Sequence, residues 1–147
     1  MQISFCVPCS GYHIDKPFNP IGKPSDTNPK RWTKETKARL QKYHDWQHQI
    51  REVFSGAYFS KETTNKKPSL FKLNGDLKII YDNSHEFLLT CHFYCLDKRH
   101  ADLSNMIKAV EDSLFENDRN IIGYPNMQRA VFIDSDNPRV ECSLEIL

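Results

Sequence analysis

Polar and apolar positions alternate from Gln2 to Val7, the period of a strand with one buried face. Five prolines and two glycines then crowd residues 8–31, and so many fixed backbone angles and missing donors predict a long loop ending in the basic Asn28-Pro29-Lys30-Arg31. From Thr33 to Phe54 the apolar residues Leu40, Tyr43, Ile50, Val53 and Phe54 recur at helical spacing; Thr33 can cap the start, and Gly56 stands where a left-handed stop belongs. Residues 60–76 are polar, carry an Asn74-Gly75-Asp76 turn signal, and read as a flexible connection. Strands follow at 77–82 and 86–96. The second, Phe87 to Leu96, is rich in β-formers and is the candidate central strand. A second helix covers 102–115, and strands at 128–134 and 139–146 flank the turn-forming run Asp134-Ser135-Asp136-Asn137-Pro138, which predicts an antiparallel hairpin.

The order β, α, β, β, α, β, β predicts an α+β domain: one small mixed sheet of four to five strands flanked by two main helices. At 147 residues the chain suits a single domain, 1–147, with a core that needs no disulfides. It contains no apolar run long enough to span a bilayer, and Met1 to Val7 lack the basic and apolar regions of a secretory signal, so a cytoplasmic protein without a membrane partner is expected. Five cysteines, an odd and scattered set, make a poor disulfide framework, and Cys6-x-x-Cys9 has no second ligand pair spaced for zinc. They are read as small, reduced hydrophobes.

The net charge of +1 hides an asymmetry. Residues 16–67 hold twelve Lys/Arg against five Asp/Glu, whereas residues 68–147 hold eight against thirteen. A basic half can neutralise phosphates while an acidic half holds metal ions, although a solvated basic helix gives the same balance.

The chemistry concentrates in the second helix. At 100° per residue, Leu103, Met106, Ile107, Val110 and Leu114 form one stripe that should face the core, and Asp102, Asn105, Lys108 and Asp112 gather on the other side. Singly, each has an ordinary explanation. Asp102 can be an N-cap, Lys108 and Asp112 an i,i+4 ion pair, and Asp118 a turn former. Together they suit phosphodiester hydrolysis, which needs hard oxygen ligands that leave part of a magnesium shell open, and a cation to meet the growing phosphate charge.

Asp102-Leu103-Ser104-Asn105, Lys108, Asp112-Ser113-Leu114 and Asp118, taken as one pattern, resemble the signature of the RusA-type Holliday junction resolvases of bacteria and phages. The resemblance extends to the layout: a short first strand, a Pro- and Asn-containing loop, a long basic helix, a strand ending in a basic stretch, the motif, and a closing pair of strands. It implies a homodimeric, magnesium- or manganese-dependent endodeoxyribonuclease that cuts four-way DNA junctions in recombination and repair. On this analogy Asp102 and Asp118 are metal ligands, Lys108 assists catalysis, and Asn105 and Asp112 support the site. Family members often carry a second acidic residue where this chain has Ser104. A hydroxyl is the poorer magnesium ligand, so Asp97, Asp112 or a water would have to substitute, or the chain is a weakened or inactive binder of branched DNA. Residues 56–76 also look longer and more polar than a minimal member needs. Lys30, Arg31, Lys34, Lys37, Lys98, Arg99 and His100 are the candidate phosphate contacts. A protein-interaction module without a nucleic-acid role is the remaining reading, and the basic 16–67 segment speaks against it.

Overall fold

A computed structural model describes residues 1–10, 16–24, 33–65, 71–73, 79–81, 85–115 and 117–147. Strand β1, Gln2–Pro8, alternates exposed and buried residues as its period requires. Helix α1 runs Lys34–Asn65. Its start is capped as expected, the Thr33 hydroxyl oxygen accepting from the Thr36 backbone N–H at 3.2 Å. Its end is not where Gly56 suggested. Tyr43, Trp46, Ile50, Phe54 and Tyr58 lie buried along one face, and Tyr58, beyond the glycine, stacks on Phe54 with ring centroids 6.1 Å apart. Burying that ring offsets the roughly 1 kcal/mol that a mid-helix glycine costs, so the helix continues.

Two short strands, β2 (Phe71–Leu73) and β3 (Ile79–Tyr81), pair antiparallel as a separate two-stranded sheet. The first had no distinct signal in the polar 60–76 segment, and the turn signal Asn74-Gly75-Asp76 lies outside the described residues, as do Lys30 and Arg31.

The main sheet is built on β4, Phe87–Cys95, which is central as its composition predicts. Strand β5 (Ile121–Gly123) and strand β6 (Val131–Ile133) both pair parallel to one side of β4, at different heights. Strand β7, Arg139–Ile146, pairs antiparallel with the other side of β4 and carries β1 on its far edge, giving the order β1-β7-β4-β5. The expected hairpin between the last two strands is therefore absent. The 134–138 run carries the chain past the end of β4, and it is pinned there by the Asp134 N–H donating to the Cys95 carbonyl at 2.8 Å and by Arg139 gripping Asp134 at 2.9 Å. The run does turn the chain, but β4, a longer apolar strand, takes the place between β6 and β7.

Helix α2 is Leu103–Leu114. One hydrophobic cluster joins the inner residues of β1, β4 and β7 to both helices, so a mixed α+β architecture results, with a five-stranded main sheet and two helices. The α2 stripe is buried from Met106 on, with Val110 and Leu114; Ile107 is half-buried and Leu103 exposed. Ala109, Glu111 and Ser113 are buried instead, and the Ser113 hydroxyl is satisfied by the Ala109 carbonyl.

All five cysteines are free. Cys6 is exposed and Cys9 buried. Among the described residues no helix is long and apolar enough to cross a membrane.

Candidate active site around Lys108

Spacing along α2 puts Lys108, Glu111 and Asp112 on neighbouring turns. The helix stops at Phe115, whose extended backbone turns the chain away and whose ring is buried against Phe87 at 5.2 Å. Asn117 then caps a single 3-10 turn, Asp118–Asn120, its side-chain oxygen accepting from the Arg119 N–H at 3.0 Å. This reversal returns Asp118 to the helix. Its Oδ2 lies 2.5 Å from Lys108 Nζ, and the same ammonium stands 3.4 Å from Asp112 Oδ1 and 4.0 Å from Glu111 Oε2. Lys23, on the segment that crosses α2, approaches the other Asp112 oxygen at 3.5 Å.

Glu111 is the member least expected from the sequence. Its side chain is only 5% exposed, and it is satisfied by the Tyr124 hydroxyl, which donates a short hydrogen bond to Glu111 Oε1 from the segment after β5. Burial pushes the Glu111 carboxyl up, and Tyr124 is pushed up by burial and then by the neighbouring Glu111. The Lys108 hydrogen bond holds Asp118 below the ordinary carboxylate value, and Asp118 in turn raises Lys108. The neighbouring Asp118 pushes Glu111 up further, as two close carboxyls hold one proton more readily than two charges. Sequence offered one hint for Glu111, its place three residues after Lys108; the partner Tyr124 comes from a different segment and gave none.

The other sequence candidates are distributed as follows. Asp102 occupies the N-cap position of α2, but only its backbone carbonyl serves the helix, accepting from Met106 at 3.0 Å. Its carboxylate makes no cap hydrogen bond and is exposed, so capping does not account for the side chain. Lys108 is six positions further on, about 9 Å along the helix axis, and its ammonium is drawn toward Asp112 and Asp118. The cluster forms around Asp118, with Asp102 and the exposed Ser104 at the other end of the helix. Asn105 is half-buried under the crossing segment, its carbonyl accepting from the Lys23 N–H at 3.1 Å. Asp97 is committed elsewhere, to the side chains of Arg99 and Asn19. Arg99 and Lys98 are exposed, His100 shares a hydrogen bond with the Ala101 carbonyl, and Lys34 and Lys37 are exposed in the first turns of α1.

No three His, Cys, Asp or Glu side chains among the described residues are arranged around a common metal position. Asp118, Asp112 and Glu111 lie instead at 2.5, 3.4 and 4.0 Å from the Lys108 ammonium. The donors are nevertheless hard carboxylate oxygens, the kind that magnesium or manganese takes. The arrangement can present an ammonium and a set of acceptors to a phosphate or a water.

The chain matches no protein-family model and no curated protein sequence.

Proposed function

We propose that this chain is a RusA-type, structure-selective endodeoxyribonuclease that hydrolyses phosphodiesters at four-way DNA junctions, acting as a homodimer in recombination or repair. The observation that carries the reading is the return of Asp118 onto Lys108: the two residues that the resemblance puts in one active site are in contact. By the resemblance Asp102 and Asp118 would hold magnesium or manganese, and buried Glu111 is a further carboxylate at the Asp118 end of α2. When bound, such an ion supplies Lewis-acid charge on a phosphate oxygen and a water of lowered pKa. The chain's own residues do the rest. Lys108 donates toward a non-bridging phosphate oxygen, where charge grows in the transition state. Asp112, held between Lys23 and Lys108, fixes the lysine's direction. Lys34, Lys37, Lys98, Arg99 and His100 contact the DNA backbone, and two copies related by a twofold present two sites to strands of opposite polarity.

A second reading, a binder of branched DNA with weak or no cleavage, is favoured by Ser104 and by the separation of Asp102 from the Lys108 cluster. Cutting of a labelled four-way junction, with and without magnesium, tests both. Asp102→Asn and Asp118→Asn are each expected to lower cutting at least 100-fold with junction affinity within about threefold, since one electrostatic group in a site commonly carries that factor. Undiminished cutting by either variant removes that residue from the mechanism. Wild type that binds the junction and never nicks it establishes the second reading, in which Ser104→Asp should gain activity.

A further inference from the structure

Segment 21–24 is pinned to α2. The Lys23 amide is bonded to Asn105, and Gly22 lies so close that a Cβ there would stand 2.6 Å from the Ala101 Cβ. Pinned in this way, the segment walls off a pocket of about 340 Å³ against α1, lined by Gly22, Lys23, Thr36, Arg39, Lys42 and Asn105 among others. Three cations from two elements face this space, and no carboxylate lines it among the described residues. Lys23 shares Asp112 with Lys108, so the pocket adjoins the Lys108 cluster. Arg39 and Lys42 are exposed and have no ion-pair partner among the described residues. Lys23 has a counter-charge in Asp112, but the two unpaired cations Arg39 and Lys42 at a concave site suit an anion. Arg39 offers a planar fork of donors, Lys23 and Lys42 offer point charges, and Thr36 and Asn105 offer neutral polar groups, the mixture that phosphate oxygens accept.

We propose that this pocket binds a phosphate group of a nucleic-acid strand and so seats the backbone beside Lys108. The proposal rests on the DNA-binding half of the functional reading above and is independent of cleavage. It also assigns the grip to Arg39 and Lys42, which are not among the phosphate contacts expected from the sequence.

The test is titration of the full-length, 15N-labelled chain in EDTA with a 12-nucleotide single strand and, separately, with inorganic phosphate. With the strand, the backbone amides of Gly22, Lys23 and Asn105 should shift and saturate. Arg39→Gln/Lys42→Gln should abolish those shifts and weaken binding at least tenfold. It should also lower the slope of log affinity against log salt by about 0.7 for each phosphate of the single strand that the variant leaves unneutralised. Arg129→Gln, which removes a charge lying over Phe132 of β6, should leave the three amide shifts in place. Strand binding without those shifts, or an unchanged salt slope in the double variant, overturns the proposal. Shifts with inorganic phosphate alone also overturn it, by showing a free-anion site. A wild type whose amides shift with the strand but which never nicks a junction in magnesium leaves the pocket standing and removes the nuclease reading.

Discussion

Lys108 and Asp118 meet at 2.5 Å although ten residues separate them, because the chain reverses at Phe115 and the 3-10 turn brings the carboxylate back over the helix. Both side chains are more than one third exposed, at 39% and 37%, so solvent screens the pair. Its coupling should be about 0.2–1 kcal/mol. Urea unfolding of Lys108→Met, Asp118→Asn and the double variant should show single losses of under about 1 kcal/mol and a coupling within that range. A coupling above about 2 kcal/mol would make the pair a determinant of the fold rather than of the site.

Glu111 and Asp118 respond to pH in opposite senses. Asp118 is held below its ordinary value of 3.8, so the stability it contributes is present above 3.8 and lost as pH falls through its lowered value. Glu111 is raised above its ordinary 4.5, so its contribution is full below 4.5 and lost as pH rises through its raised value. Glu111→Gln keeps an acceptor for Tyr124 and removes the ionisation. Its stability relative to wild type should therefore rise between pH 4.5 and pH 7.5, as measured by urea midpoints at the two pH values. A constant difference would mean that Glu111 does not titrate abnormally.

Gly22 is the residue that lets segment 21–24 lie on α2. A Cβ would meet Ala101 Cβ at 2.6 Å and Asn105 Cβ at 3.1 Å, atoms fixed directly to the backbone just before and within α2 and unable to swing aside. Gly22→Ala should cost about 1–3 kcal/mol, the range for overpacking, and lower the melting temperature. An unchanged melting temperature would show that the segment is not held against the helix.

Gly56 offers the converse case. Nothing lies within 4 Å of a Cβ placed there, and the helix runs through it. Gly56→Ala should stabilise the chain by roughly 0.5–1 kcal/mol, raising the melting temperature by a few degrees. Destabilisation would mean that α1 breaks at this glycine, as the sequence alone suggested.

These residues also mark where sequence reading succeeds and stops. The extents of β1, β4 and α2 were legible because period-2 and period-3.6 patterns are local, and so was the Thr33 cap. The alignment of Lys108 with Asp112 followed from helix geometry. What escaped depends on contacts between distant segments: the burial of Tyr58 that carries α1 past Gly56, and the intrusion of β4 between β6 and β7. Glu111 was hidden for the same reason. A glutamate at the margin of an apolar stripe reads as solvated until Tyr124 arrives from another part of the chain.

The pairing of β1 with β7 has a kinetic side. Strand β1 is matched along its length, Gln2 to Pro8, with Glu145 to Arg139, and among the described strands it has no other neighbour. Its ladder must wait until residues near 146 are available, and β4 waits with it for the same strand. Sheet assembly is thus a late, long-range closure that is slow in forming, and until it happens β1 is an unsatisfied edge open to pairing with other chains.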